Sequence, residues 1–233
     1  MLDSPLLDSP VTDAPVAFAP ADRAAVYRAI ETRRDVRRGF TDRPLPGELL
    51  QRLLAAAHKA PSVGFMQPSR FIVIRDLEIR KAIHGIFRQS KAEAAANYTG
   101  PQLEQYVALK LEGILEAPQN LCIVCDTGSE RGHKLGRHSM PEAAAYSTVC
   151  AVQNLWLAAR AEGVGVGWVS ILDPAQLRTV LRIPGHILPV AYLCLGYVDK
   201  LASQPELETY GWEQRLPLES VTSYDFYTED QAL

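Results

Sequence analysis

The sequence predicts one domain of the α/β or α+β class, on three observations. The chain has 233 residues, room for one sizeable core and at most two small domains. Apolar runs of strand length alternate with longer segments whose apolar residues recur at helical spacing. The charge is mild, 24 Lys and Arg against 27 Asp and Glu, a net −3 with 47% apolar residues. A nucleic-acid binder would carry a basic patch instead. No uninterrupted apolar run is long enough to cross a bilayer.

Taken in order, residues 1–20 place Pro5, Pro10, Pro15 and Pro20 among acids and predict an irregular arm. Acids stand where a secretory leader would carry positive charge, so export is not expected. A helix is predicted from Ala21 to Arg34, with Val26 and Ile30 on one face. Pro46 sits at a favoured first-turn position of a second helix. That helix carries the stripe Leu49, Leu50, Leu53, Leu54 and Ala57. "RFIVIRD" (70–76) predicts a strand buried on both faces. Residues 77–117 are helical in composition, broken around "NYTGPQ".

"NLCIVCD" (120–126) predicts a buried strand. Its Cys122 and Cys125 are three apart and point to opposite faces, so they read as buried thiols rather than a redox or metal pair. Four cysteines make no disulfide framework, and a reducing cytoplasm fits. After the polar loop "TGSERGHKLGRHSM", an Ala-rich helix is predicted from Pro141 to Glu162. Val149, Val152, Leu155, Trp156 and Ala159 should face inward, making it the central core helix. "GVGVGWVSIL" reads as a strand, and Asp173-Pro174-Ala175-Gln176 as a helix start with its cap. "HILPVAYLCLGYVD" is the last core strand, and the tail from Ala202 is expected to be extended.

Several familiar chemistries fail on spacing. "GVGVGW" lacks the G-x-G-x-x-G order and lies between helix and strand, not strand and helix, so a dinucleotide fingerprint is excluded. None of His58, His84, His133, His138 and His186 has zinc-site spacing, and no G-x-S-x-G elbow is present. His133 and His138 read as solvated loop residues. The segment "TRRDVRRGF" (32–40) remains: Arg33, Arg34, Arg37 and Arg38 around the single acid Asp35. Cations at a helix end gain from the macrodipole. A guanidinium fork equally suits phosphate or a flavin carbonyl. The second notable segment is "APSVGFMQPSRFIVI" (60–74). It runs from a helix end through a Pro/Ser/Gly loop able to present donors to a bound ring system.

Together these segments resemble the nitroreductase-like FMN enzymes, with "GVGVGW", "DPAQLRTVLRIP" and "PVAYLCLGY" as further counterparts. The resemblance runs from about Ala21 to about Pro217. It implies an α+β three-layer sandwich, a mixed central sheet flanked by helices. It also implies a homodimer with extended arms and FMN at the dimer interface. "RRDVR", "APSVGFMQP", "LKLEGILEAPQN" and "GVGWVSILDP" look like a branch of the family that consumes its flavin. There Asp35 replaces the usual Ser of the first motif; Ser69 departs from the pattern, standing where Trp is expected.

The activity implied is oxygen-dependent fragmentation of reduced FMN. The products are 5,6-dimethylbenzimidazole, the lower ligand of cobalamin, and erythrose 4-phosphate. Reduced FMN is then a substrate alongside O2, no metal is implied, and a flavin reductase is the expected source of FMNH2. The rival readings are an NAD(P)H-dependent nitro- or quinone reductase that retains FMN, and a non-catalytic flavin-binding protein. Asp35 favours the first, because hydride transfer needs no such acid.

By the same resemblance, Arg33 and Arg34 hold the ribityl phosphate with Arg215 of "EQRLP", and Arg37 reaches the pyrimidine edge. Pro61, Ser62 and Gln67 line the flavin. Val36, Val169 and Lys110, the last read as an exposed helical lysine, complete the binding set. Asp35 is the base for the first ribityl carbon, and its other reading is a helix-end acid paired to Arg34 or Arg38. Ser170 hydrogen-bonds the ring near N5, or else is a strand hydroxyl bonded to the backbone. Residues 93–100 are read as a lid that excludes water.

Overall fold

The computed structural model describes residues 17–228. Most of the proline-rich arm, through Val16, therefore lies outside the described residues. The chain divides into two compact units, residues 1–32 and 33–233. Of the first, the helix α1 (Pro20–Thr32) is described. It ends two residues before Arg34, and none of its residues is buried, Val26 and Ile30 included.

The second unit carries α2 (Gly47–His58), β1 (Ser69–Ile74), α3 (Leu77–Ala94), α4 (Gly100–Ala108), β2 (Gln119–Asp126) and α5 (Ala143–Ala161). β3 (Val164–Val169), α6 (Pro174–Leu181), β4 (Ile187–Tyr197) and the short α7 (Glu206–Thr209) follow. The sheet order is β1-β2-β4-β3 and its three ladders are antiparallel. Its parallel element is a single bridge from Asp35 to Val166. A bulge between Ile123 and Val124 accommodates Pro189, which has no N–H to give the ladder.

Period-2 alternation sorts the central strands into two cores. Leu121 and Ile123 of β2, with Ala191, Leu193 and Leu195 of β4, meet α2 and α5. Cys122, Val124, Tyr192 and Cys194 face the other way, towards α3 and α6. The result is the expected α+β three-layer sandwich. β1 is less enclosed than expected: Ile74 is buried, but its other residues are partly or fully exposed. The stripe on α2 holds, with Leu49, Leu50, Leu53 and Ala57 buried.

Two expectations fail for tertiary reasons. Val149 points outward, 42% exposed beside Tyr146 and Cys150, while Val152, Leu155, Trp156 and Ala159 are buried as expected. α5 is apolar nearly all round, so its pattern leaves the phase of the buried face undetermined. Residues 109–118 are not helical. Arg80 of α3 is buried there and donates to the carbonyls of Ile114 (3.1 and 2.8 Å), Leu115 (3.1 Å) and Ala117 (2.5 Å). One guanidinium thus satisfies carbonyls that a helix would have paired internally.

α6 starts as expected: Asp173 accepts from the Gln176 amide at 2.7 Å with Pro174 in the first turn. Asp173→Ala should lower stability by about 1 kcal/mol in chemical denaturation, the usual cost of losing such a cap. Among the described residues no helix is long and apolar enough to cross a membrane.

Candidate active site

Residues 35–36 lie along the open edge of β3. The Val36 amide donates to the Val166 carbonyl at 3.0 Å. Glycine makes this approach possible: a Cβ on Gly167 would lie 2.0 Å from the Val36 oxygen. The third glycine of "GVGVGW" therefore serves backbone contact, and the second, Gly165, makes room for the Val198 and Val36 side chains. Asp35 is fixed at both oxygens: Oδ1 accepts from the Trp168 amide at 2.9 Å and Oδ2 from Arg37 Nη2 at 2.5 Å. Its ionic partner is Arg37, neither Arg34 nor Arg38. Val169, buried, closes β3, and Ser170 follows with its side chain exposed. The Asp35 carboxylate is thus anchored on Trp168, two residues before Ser170.

The arginines are held from α5 and from the C-terminal segment. The Arg33 guanidinium lies over the Trp156 ring, 4.7 Å from its centroid. The Trp156 indole donates to the Arg34 carbonyl at 3.2 Å, and Arg34 Nη2 donates to the Ser203 carbonyl at 2.5 Å. Burial pushes the Arg33 guanidinium below its ordinary value; Asp35 opposes this, while Arg34 and Arg215 add to it. The Arg215 charge is thus felt at Arg33. An anion among these cations would relieve their mutual repulsion, which is the environment a phosphate needs. Glu206 of α7 pairs with Arg38 Nε at 2.8 Å and lies 3.9 Å from Arg37 Nη1. Arg37 Nε is desolvated and has no hydrogen-bond partner, so its fork is not fully satisfied without a ligand.

The loop 61–67 is a second, strained piece. The Ser62 hydroxyl accepts from the Gln67 amide at 3.1 Å, and Ser147 of α5 accepts from the Val63 amide at 3.2 Å. Gly64, Phe65 and Gln67 all have φ in the left-handed region, at 60°, 53° and 48°. Non-glycine residues in that region cluster at functional sites. The polar loop after β2 buttresses it. A Cβ on Gly132 would lie 2.1 Å from the Gly64 oxygen, and Arg131 Nη2 donates to Gln67 Oε1 at 3.2 Å. Neither Gly132 nor Arg131 emerges from sequence reasoning; glycines 128, 132 and 136 at a spacing of four are the signal available.

Both pieces contact α5, at Ser147 and at Trp156, nine positions apart. At 1.5 Å per residue they are separated by roughly 13 Å along the axis. Lys110 lies past the end of α4, outside any helix, with its ammonium 2.7 Å from both Glu112 and Glu116. Residues 93–100 span the end of α3 and a short 3₁₀ turn, and Tyr98 stacks on Tyr106 at 4.5 Å and meets Trp212 edge-on at 5.5 Å. Cys122 and Cys125 belong to separate buried clusters, and burial pushes the Cys122 thiol up to about 12. His133 and His138 are exposed. No group of three or more His, Cys, Asp or Glu among the described residues is arranged to hold a metal ion.

A cluster of cations with charge to spare for an anion, an Arg37 whose Nε has no hydrogen-bond partner and a strained loop are compatible with a ligand such as flavin mononucleotide. Comparison with known proteins identifies the family. The profile described as Nitroreductase family matches residues 30–197. A 5,6-dimethylbenzimidazole synthase of Rhodospirillum rubrum is 46% identical over 185 residues, covering 79% of this chain and 87% of its own. Another of the same description, from Rhodobacter capsulatus, is 39% identical over 197 residues, 84% of this chain and 95% of its own. In fold, the chain resembles oxidized iodotyrosine deiodinase bound to FMN and 3-iodo-L-tyrosine. The TM-score is 0.69 at 22% identity, over 87% of this chain and 100% of that one.

Proposed function

Because the chain belongs to the nitroreductase family, we propose that it forms 5,6-dimethylbenzimidazole from reduced FMN and O2. The observation that carries this reading is Asp35, a carboxylate fixed at the end of β3 among the arginines. A retained-flavin reductase has no use for it. The 46% identity to a protein described as that synthase supports the same reading. Bound reduced FMN would supply the electrons for O2 and the first ribityl carbon that becomes the imidazole carbon; the other four ribityl carbons would leave as erythrose 4-phosphate and the pyrimidine ring as a third fragment.

The side chains provide the rest. Arg33, Arg34 and Arg215 bind the phosphate end. Arg37 faces the pyrimidine edge, where a cation favours the anionic ring. Asp35 takes a proton from the first ribityl carbon, oriented for it by the Trp168 amide. Ser170, exposed two residues beyond Trp168, donates towards N5. Val36 and Val169 wall the site, and Pro61, Ser62 and Gln67 line the ring. Lys110, already paired with two glutamates, is not required. Residues 93–100, tied to Trp212 by aromatic contact, exclude water as a lid.

The chain works as a homodimer in this reading. The exposed face of α5 bearing Tyr146, Val149 and Cys150 is an apolar surface suited to a second copy. A second copy would let the loop of one protomer meet the arginines of the other. A separate flavin reductase supplies FMNH2, and the four free cysteines suit a reducing cytoplasm. The benzimidazole then serves as the lower ligand of cobalamin.

The test is to mix the protein with excess chemically reduced FMN in air and resolve the products by chromatography and mass spectrometry. The expected product is dimethylbenzimidazole. Recovery of oxidised FMN alone, with rapid NAD(P)H consumption on a nitroaromatic, would identify a conventional reductase instead.

A further inference from the structure

We infer that Glu206 is a positioning residue that sets how strongly the site prefers reduced over oxidised flavin. The inference rests on the proposed placement of Arg37 at the pyrimidine edge of the flavin. Arg37 is largely buried, its side chain 13% exposed, and its guanidinium is divided between two carboxylates. Nη2 bonds Asp35 at 2.5 Å, while Nη1 lies 3.9 Å from Glu206 Oε2, within ion-pair range but beyond a hydrogen bond. Glu206 is itself only 19% exposed, so solvent screens this pair incompletely.

Glu206 is held firmly where it is. Its other oxygen pairs with Arg38 Nε at 2.8 Å, and the Arg38 guanidinium lies over the Tyr210 ring at 5.6 Å. The Trp212 amide donates to the Leu207 carbonyl at 2.9 Å, and Trp212 packs edge-on against Tyr98. A short helix, an ion pair and an aromatic cluster thus fix one carboxylate behind Arg37. Arg38 is half exposed and solvent serves it; the buried Arg37 has no such recourse.

The consequence is electrostatic and has a definite sign. The oxidised isoalloxazine is neutral, whereas the reduced ring ionises to an anion at its pyrimidine edge. A carboxylate behind Arg37 partly cancels the cation that the anion meets. Removing that charge strengthens binding of the reduced form selectively, because only it carries charge at that edge.

The experiment measures anaerobic Kd values of oxidised and chemically reduced FMN for the full-length protein, without turnover. Glu206→Gln should raise the ratio of oxidised to reduced Kd by about threefold or more, the scale set by one partly buried unit charge at this range. Glu206→Asp, which keeps the charge, should return the ratio towards the starting value. Arg37→Gln should lower it. Equal weakening of both forms by Glu206→Gln, or an unchanged ratio while Arg37→Gln still lowers it, would overturn the role of Glu206 alone. An unchanged ratio in Arg37→Gln would show that Arg37 does not face the pyrimidine edge, and the inference would fall with that placement.

Discussion

Asp35→Asn should leave the affinity for reduced FMN within a few-fold of the unaltered protein while lowering dimethylbenzimidazole formation by about 10²–10⁴-fold, the usual contribution of a positioned base. The two effects separate because Asp35 has two functions. Its Oδ1 accepts from the Trp168 amide at 2.9 Å, and an asparagine oxygen can accept the same bond. The contact of residues 35–36 with β3 is therefore kept, along with the arginines it presents. Arg37 loses its 2.5 Å partner but remains within ion-pair range of Glu206. What asparagine lacks is the capacity to accept a proton. Anaerobic titration and product yield under air give the two numbers, and full activity in the variant would remove Asp35 from the mechanism.

Gly167→Ala should be among the most damaging small substitutions in the site, destabilising the chain by about 3 kcal/mol and abolishing flavin binding. The added methyl would lie 2.0 Å from the Val36 carbonyl oxygen and 3.6 Å from Asp35 Oδ1. The contact at 3.6 Å is an ordinary one; the clash is with the Val36 oxygen, which is backbone and not the end of a flexible side chain. The amide of the same residue, Val36, donates to the Val166 carbonyl of β3, which ties that backbone in place. Relief requires prising residues 35–36 off β3, which removes Asp35 and Arg37 from their places and leaves the Trp168 amide without its acceptor. Gly185→Ala is the matched control. A methyl there meets nothing within 4 Å and the backbone is not left-handed, so its unfolding midpoint should barely move. Equal midpoints for the two variants in urea would contradict the packing described.

Features set by local physics could be read from the chain. The apolar stripe of α2, the Asp173 cap and the alternating faces of β2 and β4 depend on near neighbours in sequence. Features set by distant partners could not. Residues 109–118 have helical composition, yet Arg80 draws their carbonyls out of helical pairing. Val149 faces outward because α5 offers apolar residues on every side. "TRRDVRRGF" shows an acid among arginines, but not that its partner is Arg37 or that Trp168 holds its second oxygen. Glu206 and Gly132 enter the site only through folding, one from a turn of helix near the C-terminus and the other from a polar loop. The reason for the last glycine of "GVGVGW" also lies elsewhere in the chain, in the Val36 carbonyl.

The central claim is that the flavin is a substrate whose first ribityl carbon ends in the product. Reduced FMN labelled with ¹³C at that carbon, turned over in air and analysed by mass spectrometry and NMR, tests it directly. The account predicts dimethylbenzimidazole carrying the label at the carbon between its two nitrogens, with unlabelled erythrose 4-phosphate. Label recovered only in intact FMN after exhaustive incubation would contradict it.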